Sequence, residues 1–380
     1  MSSLGVFMRV RATLGELVHS GLPVMRGPAA IRAFLAPMTE LCIAAAMLVM
    51  PAAAPRAQWT PQTSNSSADL RGLSVVSSRV VWASGSGGTV LRTIDGGATW
   101  RADSVPGAAA LDFRDIEAFD AQTAYVMSAG NGALSRIYKT VDGGAHWMLQ
   151  FTNADSAGFY DAMGFWDREH GVAMSDPVDG RFVIITTTDG GKTWKKSAAA
   201  SMPSALKGEG GFASSGTCLV AAGEREAWFA TGGASASRVF HSGDRGQTWS
   251  VAETPVAAAS ASRGIFSLAF GDARTGYAIG GDYQKPQTDS ATVAVTRDAG
   301  KTWALAAGRT HGYRSGLAMR GKMLIAVGIN GTDRSADGGA TWTLVDRVEY
   351  NSVSFGKGQR QGWAVGPQGR IARWSGAQER

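Results

Sequence analysis

Apolar and polar residues alternate along this chain in runs of about five, and the same arrangement keeps returning. Over residues 116–140 it reads IEAFD, a turn, TAYVMS, a Gly-rich break, then RIYKT. Runs of that length with Gly, Asn and Asp between them predict antiparallel strands joined by tight turns. The third run of each unit ends in an eight-residue phrase: TIDGGATW at 93–100, TVDGGAHW at 140–147, TTDGGKTW at 187–194, SGDRGQTW at 242–249, TRDAGKTW at 296–303 and SADGGATW at 335–342. Its aspartates, Asp95, Asp142, Asp189, Asp244, Asp298 and Asp337, stand 47, 47, 55, 54 and 39 residues apart. A period of roughly 40–50 residues marks stacked supersecondary units, none able to bury its apolar face alone.

Each residue of the phrase has a structural task. The glycines allow positive φ, and the aspartate can accept hydrogen bonds from its own loop. The closing tryptophan (Trp100, Trp147, Trp194, Trp249, Trp303, Trp342) is large enough to pin the turn onto the sheet. The phrase therefore reads as the turn between the third and fourth strands of a four-stranded meander. None of its residues is needed for chemistry.

This phrase is similar to the Asp-box, or BNR, repeat of sialidases, sortilin-type receptors and related propellers. The fuller unit, with GYAIGG or GWAVG in its second strand, more closely resembles the photosystem II stability and assembly factor family over residues 59–374. The resemblance implies an all-β, seven-bladed propeller of four-stranded antiparallel blades. It also implies chaperone-like protein binding through arginines on one face, matched here by Arg71, Arg114 and Arg314 with Arg263 close by. One propeller design hosts many unrelated functions, so the site must be argued from its own residues.

Seven inner strands can be read, near Leu73, Ile116, Met163, Leu219, Leu268, Leu317 and Val353, against six boxes. The last unit stops at 374 without a box or a fourth strand. AQWTPQT at 57–63 matches the box exit ATWTLVD at 340–346. The N-terminal strand is therefore expected to complete the C-terminal blade, with Trp59 in the place of Trp342. Such a closure removes an open edge.

Residues 1–57 are set apart. Arg26 and Arg32 precede LCIAAAMLVM at 41–50 and a small-residue stretch, PAAAPRAQ. That order predicts a secretory leader cleaved near Ala57, with Met25 as an alternative start, and hence a periplasmic or extracellular protein. The apolar run is short for a membrane span. Five of the 37 basic and two of the 31 acidic residues fall in this stretch, which leaves 32 against 29, a net charge of +3 for residues 58–380. That balance gives nucleic-acid binding no support. One cysteine, Cys218, remains beyond the leader, so no intrachain disulfide is expected, and the large closed core must stabilise a monomer.

Departures from the repeat carry the functional signal. Extra length precedes the inner strand of unit four, at 197–217. It follows the second strand of unit five, at GGDYQKPQTDS, and SDPVDGR holds that same position in unit three. These loops should share the face opposite the boxes. Two positions before the inner-strand anchors stand Arg71, Arg114, Asp161, Thr217, Phe266, Ser315 and Asn351, which should ring one mouth of the channel. With Arg263, Arg314 and Tyr283 they could hold an anionic or sugar-like group. Should the chain be an enzyme, a glycoside hydrolase is the expectation, with Asp161, Glu209, Asp176 and Asp282 as carboxylates suited to a two-acid mechanism and Tyr160 nearby. No spacing selects a pair among them, and the Arg-Ile-Pro motif of sialidases is missing. Asp176 and Asp179 lack the oxygen count of a calcium loop, and the histidines lack ligand spacing, so no metal and no cofactor is expected. The chain reads best as a non-enzymatic binding or assembly propeller whose partner is another protein or a glycan. The alternative is a carbohydrate-active enzyme.

Overall fold

The computed structural model describes residues 58–356 and 358–375. The leader and start-site expectations for 1–57 lie outside the described residues. Seven sheets of four antiparallel strands follow one another around a ring. Blade 1 comprises Leu70–Val75, Val81–Gly85, Thr89–Thr93 and Arg101–Ser104. The other inner strands are Phe113–Ala118, Tyr160–Phe165, Leu219–Ala222, Arg263–Phe270, Gly316–Arg320 and Ser352–Phe355, for blades 2 to 7. The second strand of blade 1, Val81–Gly85, is buried along its whole length and the inner strands are mostly buried, whereas outer strands such as Arg101–Ser104 are largely exposed. The chain pattern thus places the core between blades.

Blade 7 is closed as the box-like N-terminus suggested. Trp59–Gln62 forms its outermost strand, paired Trp59 to Trp374 and Gln62 to Ile371. There are seven apolar clusters, one at each junction of neighbouring blades, and each contains a single tryptophan at the box-exit position. Trp100, Trp147, Trp194, Trp249, Trp303 and Trp342 fill six, and Trp59 fills the seventh, between blades 6 and 7. The box tryptophan therefore pins one blade to the next as well as its own turn. Gln62 adds a lock that the sequence did not announce. Its Oε1 accepts both indole N–H groups of Trp100 and Trp363, each at 3.0 Å.

The boxes are self-contained. In blade 3, Asp189 Oδ1 accepts from the Thr193 amide at 2.9 Å and Oδ2 from the Thr193 hydroxyl at 2.6 Å, while Thr187 Oγ1 accepts from the Gly191 amide at 2.9 Å. Gly190 and Gly191 adopt φ of 69° and 81°; blades 4 and 5 place Arg245 and Ala299 at φ of 61° and 67° at the first of these positions. All six aspartates are thus consumed by their own turns.

Candidate functional site

Four inner strands share an irregularity that organises one mouth of the ring. The pairing register of the first two strands slips by one residue at Arg71, Arg114, Asp161 and Phe266, in blades 1, 2, 3 and 5. A β-bulge bends the strand and re-aims the side chain of the extra residue. The bulges are why these positions, counted from the sequence alone, converge.

Three of them, Arg71, Arg114 and Phe266, open on a cavity of about 430 Å³. One wall, from blades 1, 2 and 7, carries Arg71, Arg114, Asn351, Asp69 and Glu349. The opposite wall, from blades 5 and 6, carries Phe266, Tyr283, Tyr313 and Ile329. Phe266 meets Tyr313 edge-on with centroids 4.8 Å apart, and Tyr283 meets Phe266 at 6.1 Å. Burial lifts the Tyr313 phenol above the usual tyrosine range, so it stays a neutral donor.

The arginines are not free anion traps. Arg71 pairs with Asp69 at 2.8 Å and Arg114 with Asp112 at 2.7 Å, each with the carboxylate two residues before it. Asn351 Nδ2 donates to Asp69 Oδ1 at 2.7 Å. Glu349 adds a further acid, so the polar wall is close to neutral and rich in directional hydrogen-bonding groups. An anion-selective pocket needs uncompensated cations; this wall suits amides and mixed polar groups instead.

The floor was not foreseen. The extra length of blade 4, expected among the loops of the face opposite the boxes, runs into the centre of the ring. Phe212 stacks on Phe266 with centroids 3.9 Å apart. Arg114 donates to the Ala213 carbonyl at 3.2 Å and Arg71 to that of Ser214 at 3.4 Å. Thr217, expected at the mouth, lies under this segment and bonds Ser267 Oγ at 2.6 Å.

The remaining predicted site residues fall elsewhere. Arg314 is fully buried and forms an ion pair with Asp333 at 2.6 Å, so the expectation that it lines the mouth does not fit the structure. Its neighbour Tyr313 takes the place at the mouth. Arg263 pairs with the buried Asp282 at 3.1 Å, off the cavity wall. Glu209 is buried against Arg238 and accepts from the Thr231 hydroxyl at 2.6 Å. Asp161 and Asp176 lie together beneath the floor, where Asp176 Oδ1 accepts from the Gly211 amide at 2.7 Å. Burial and the Asp176 charge hold the Asp161 carboxyl well above the carboxylate range, and burial lifts Asp176 to about 6. This is the one mutually perturbing pair among the four carboxylates considered for hydrolysis, and the floor covers it. Tyr160 is likewise buried. Among the described residues, no three His, Cys, Asp or Glu side chains are placed to hold a metal, and no helix is long and apolar enough to cross a membrane.

These shifts set a pH profile. Glu117, inside the ring though not sealed from water, is lifted by burial to about 7. For Glu117, Asp161 and Asp176 the folded value exceeds the unfolded one, so they destabilise the fold progressively as pH rises from the ordinary carboxylate range towards those raised values, about 6 for Asp176 and about 7 for Glu117. The box carboxylates Asp95, Asp142, Asp189, Asp298 and Asp337 are held at about 2 by their own turns, so they stabilise it above the ordinary carboxylate range. Their contribution disappears as pH falls towards 2. Thermal melts should therefore show stability rising as pH is lowered from about 7 to about 5 and falling below about pH 4. A monotonic profile would contradict the assignment.

Seven four-stranded blades, with Asp-box turns on one face and a cavity on the other, make the chain a seven-bladed propeller that carries Asp-box repeats. The BNR/Asp-box repeat model matches residues 185–196, the third box and its approach strand. No curated protein matches the chain. Among solved structures, a complex described as YCF48 bound to D1 peptide superposes with a TM-score of 0.59 at 16% identity, covering 84% of this chain and 97% of that one. YCF48 from Cyanidioschyzon merolae gives 0.57 at 18% identity, covering 84% and 99%. The GH74 enzyme of Niastella koreensis gives 0.55 at 15% identity, covering 83% of this chain and 53% of the enzyme. At these identities the likeness is one of fold.

Proposed function

We propose that this chain is a protein-binding propeller, an assembly or stability factor that holds a segment of a partner polypeptide in the mouth cavity. The observation that carries the reading is the division of that cavity into an aromatic wall and a near-neutral hydrogen-bonding wall. A peptide has the same division, with apolar side chains and a backbone of paired donors and acceptors. The volume falls within the range of small-ligand sites, enough for a few side chains. The superposition on YCF48 with a peptide bound supports the reading, since the same architecture serves that purpose there. Hydrolysis has less support: of the candidate carboxylates, Glu209 and Asp282 are consumed by arginines, and Asp161 and Asp176 lie under the floor.

Tyr283 and Ile329 provide the test, because they are 41% and 38% exposed and their truncation leaves the core intact. The probe is an array of overlapping peptides tiled over exported and membrane proteins of the source organism. Tyr283→Ala with Ile329→Ser should weaken binding of selected peptides about tenfold or more, the usual effect of removing an aromatic anchor, with an unchanged melting temperature. Selected peptides that bind this variant as tightly as the parent would overturn the reading.

A further inference from the structure

Residues 203–217 touch every other blade of the ring. Arg71 and Arg114 reach them from blades 1 and 2, and Asp176 accepts from Gly211 in blade 3. In blade 5, Phe266 stacks on Phe212 and the Leu268 amide donates to the Thr217 carbonyl at 2.9 Å. Ser215 Oγ donates to the Ser315 carbonyl of blade 6 at 2.8 Å, and Ser352 Oγ of blade 7 donates to the Ser215 carbonyl at 3.3 Å. The segment is the hub of the wheel and at the same time the floor of the cavity.

Two features hold the hub at one height. The first is a buried latch. Glu209 Oε1 accepts from Arg238 Nε at 2.8 Å and Oε2 from Arg238 Nη2; Oε2 also accepts from the Leu206 amide at 2.8 Å, and Arg238 Nη2 reaches the Ser204 carbonyl at 2.9 Å. The second is a slot for the Phe212 ring. Gly232 and Gly264 pack backbone against backbone, where a Cβ on either would stand 2.5 Å from the other's Cα, and the Phe212 ring lies over the pair with its Cε2 2.7 Å from either Cβ position. A buried ion pair adds little net stability but specifies one geometry, since any displacement strands a charge away from water.

Resting on the cavity reading above, we infer that the Glu209–Arg238 latch positions the recognition floor: Glu209 and Arg238 are positioning residues that set affinity without touching the bound segment. Their effect passes through the Ala213 and Ser214 carbonyls, which orient Arg114 and Arg71, and through Phe212, which completes the aromatic wall. A latch that merely stabilised the ring would leave the cavity's affinity unchanged in protein that remains folded.

The experiment uses the full chain and two readouts. Lys207 is exposed two residues before Glu209, so tryptic cleavage there reports whether the hub stays seated. Anilinonaphthalene sulfonate is the binding probe, because its fused rings match the aromatic wall formed by Phe266, Tyr283 and Tyr313. Glu209→Gln turns an acceptor into a donor facing Arg238. It should speed cleavage after Lys207 about tenfold and weaken the dye about fivefold in protein that retains its native circular dichroism. Adding Arg238→Met removes the stranded cation and should recover most of both effects. Faster cleavage with unchanged dye affinity makes the latch structural and overturns the inference, as does no change in either. Tyr283→Ala separates the two readings. If it weakens the dye while Glu209→Gln does not, the latch fails and the cavity stands. If Tyr283→Ala has no effect on the dye, the cavity reading fails and takes this inference with it.

Discussion

Removing the N-terminal strand should unfold or aggregate the protein. Deletion of 58–63 takes away the four pairings of Trp59–Gln62 with Ile371–Trp374 and leaves blade 7 with three strands and an open edge. It also empties the seventh tryptophan site, where Trp59 is 4% exposed and packs on Tyr350 and Trp374 with centroids 5.5 and 4.9 Å away. Trp59→Ala alone isolates the packing term, about 3–5 kcal/mol for a buried tryptophan. Gln62→Ala should be the milder companion. It leaves two indole N–H groups without an acceptor, a cost of about 1–3 kcal/mol for each donor that stays buried. Thermal melts and sedimentation of the three variants check the order. A deletion variant that melts and sediments like the parent would mean that the ring is not closed by its termini.

The second large effect is expected at Arg314, well away from any ligand. Its guanidinium is sealed in the fold, 2.6 Å from a carboxylate oxygen of Asp333, and also donates to the Tyr313 carbonyl at 2.7 Å and to Asn330 Oδ1. Burial works against the charge, lowering the Arg314 pKa, and the Asp333 carboxylate opposes that shift. Arg314→Leu leaves Asp333 buried without its guanidinium partner, with the His311 ring 2.6 Å away. Breaking a buried pair from one side costs about 3–5 kcal/mol, whereas replacing both partners is often neutral. Arg314→Leu should therefore lower the melting temperature by on the order of 10 °C, and adding Asp333→Asn should recover part of the loss. Peptide affinity of the folded fraction should stay unchanged. Lost affinity at unchanged stability would return Arg314 to the mouth.

The fold was legible because it is written in repeats. Six boxes and a displaced seventh box exit dictate the ring, the number of blades and the closing strand, all through local turn chemistry and strand patterning. The site was legible in part. Arg71, Arg114, Phe266, Ser315 and Asn351 could be counted to one mouth because each sits at the same step of its repeat. Arg314 could not be placed. It stands one residue from Ser315, and in a strand one residue is the difference between facing the channel and facing the neighbouring strand's packing. The hub was hidden for a different reason. A segment such as GEGGFASSG reads as extra loop length on the face opposite the boxes, and its burial depends on contacts with the six other blades. Its glycines, small serines and lone phenylalanine make sense once the narrow centre they fill is known. Glu209 offered a carboxylate to the eye, but its arginine partner lies 29 residues onward, and no spacing rule joins them.

The most direct test of the central claim, that the face opposite the boxes holds a polypeptide, is site-specific photo-crosslinking with mass spectrometry. A benzophenone amino acid is placed either at Tyr283, on the cavity wall, or at Ile94, exposed on the first box. Cells expressing each form are irradiated and the adducts sequenced. The account predicts that position 283 captures polypeptide segments overlapping those selected on the peptide array and position 94 does not. Capture of the same segments from position 94, with none from 283, would contradict it.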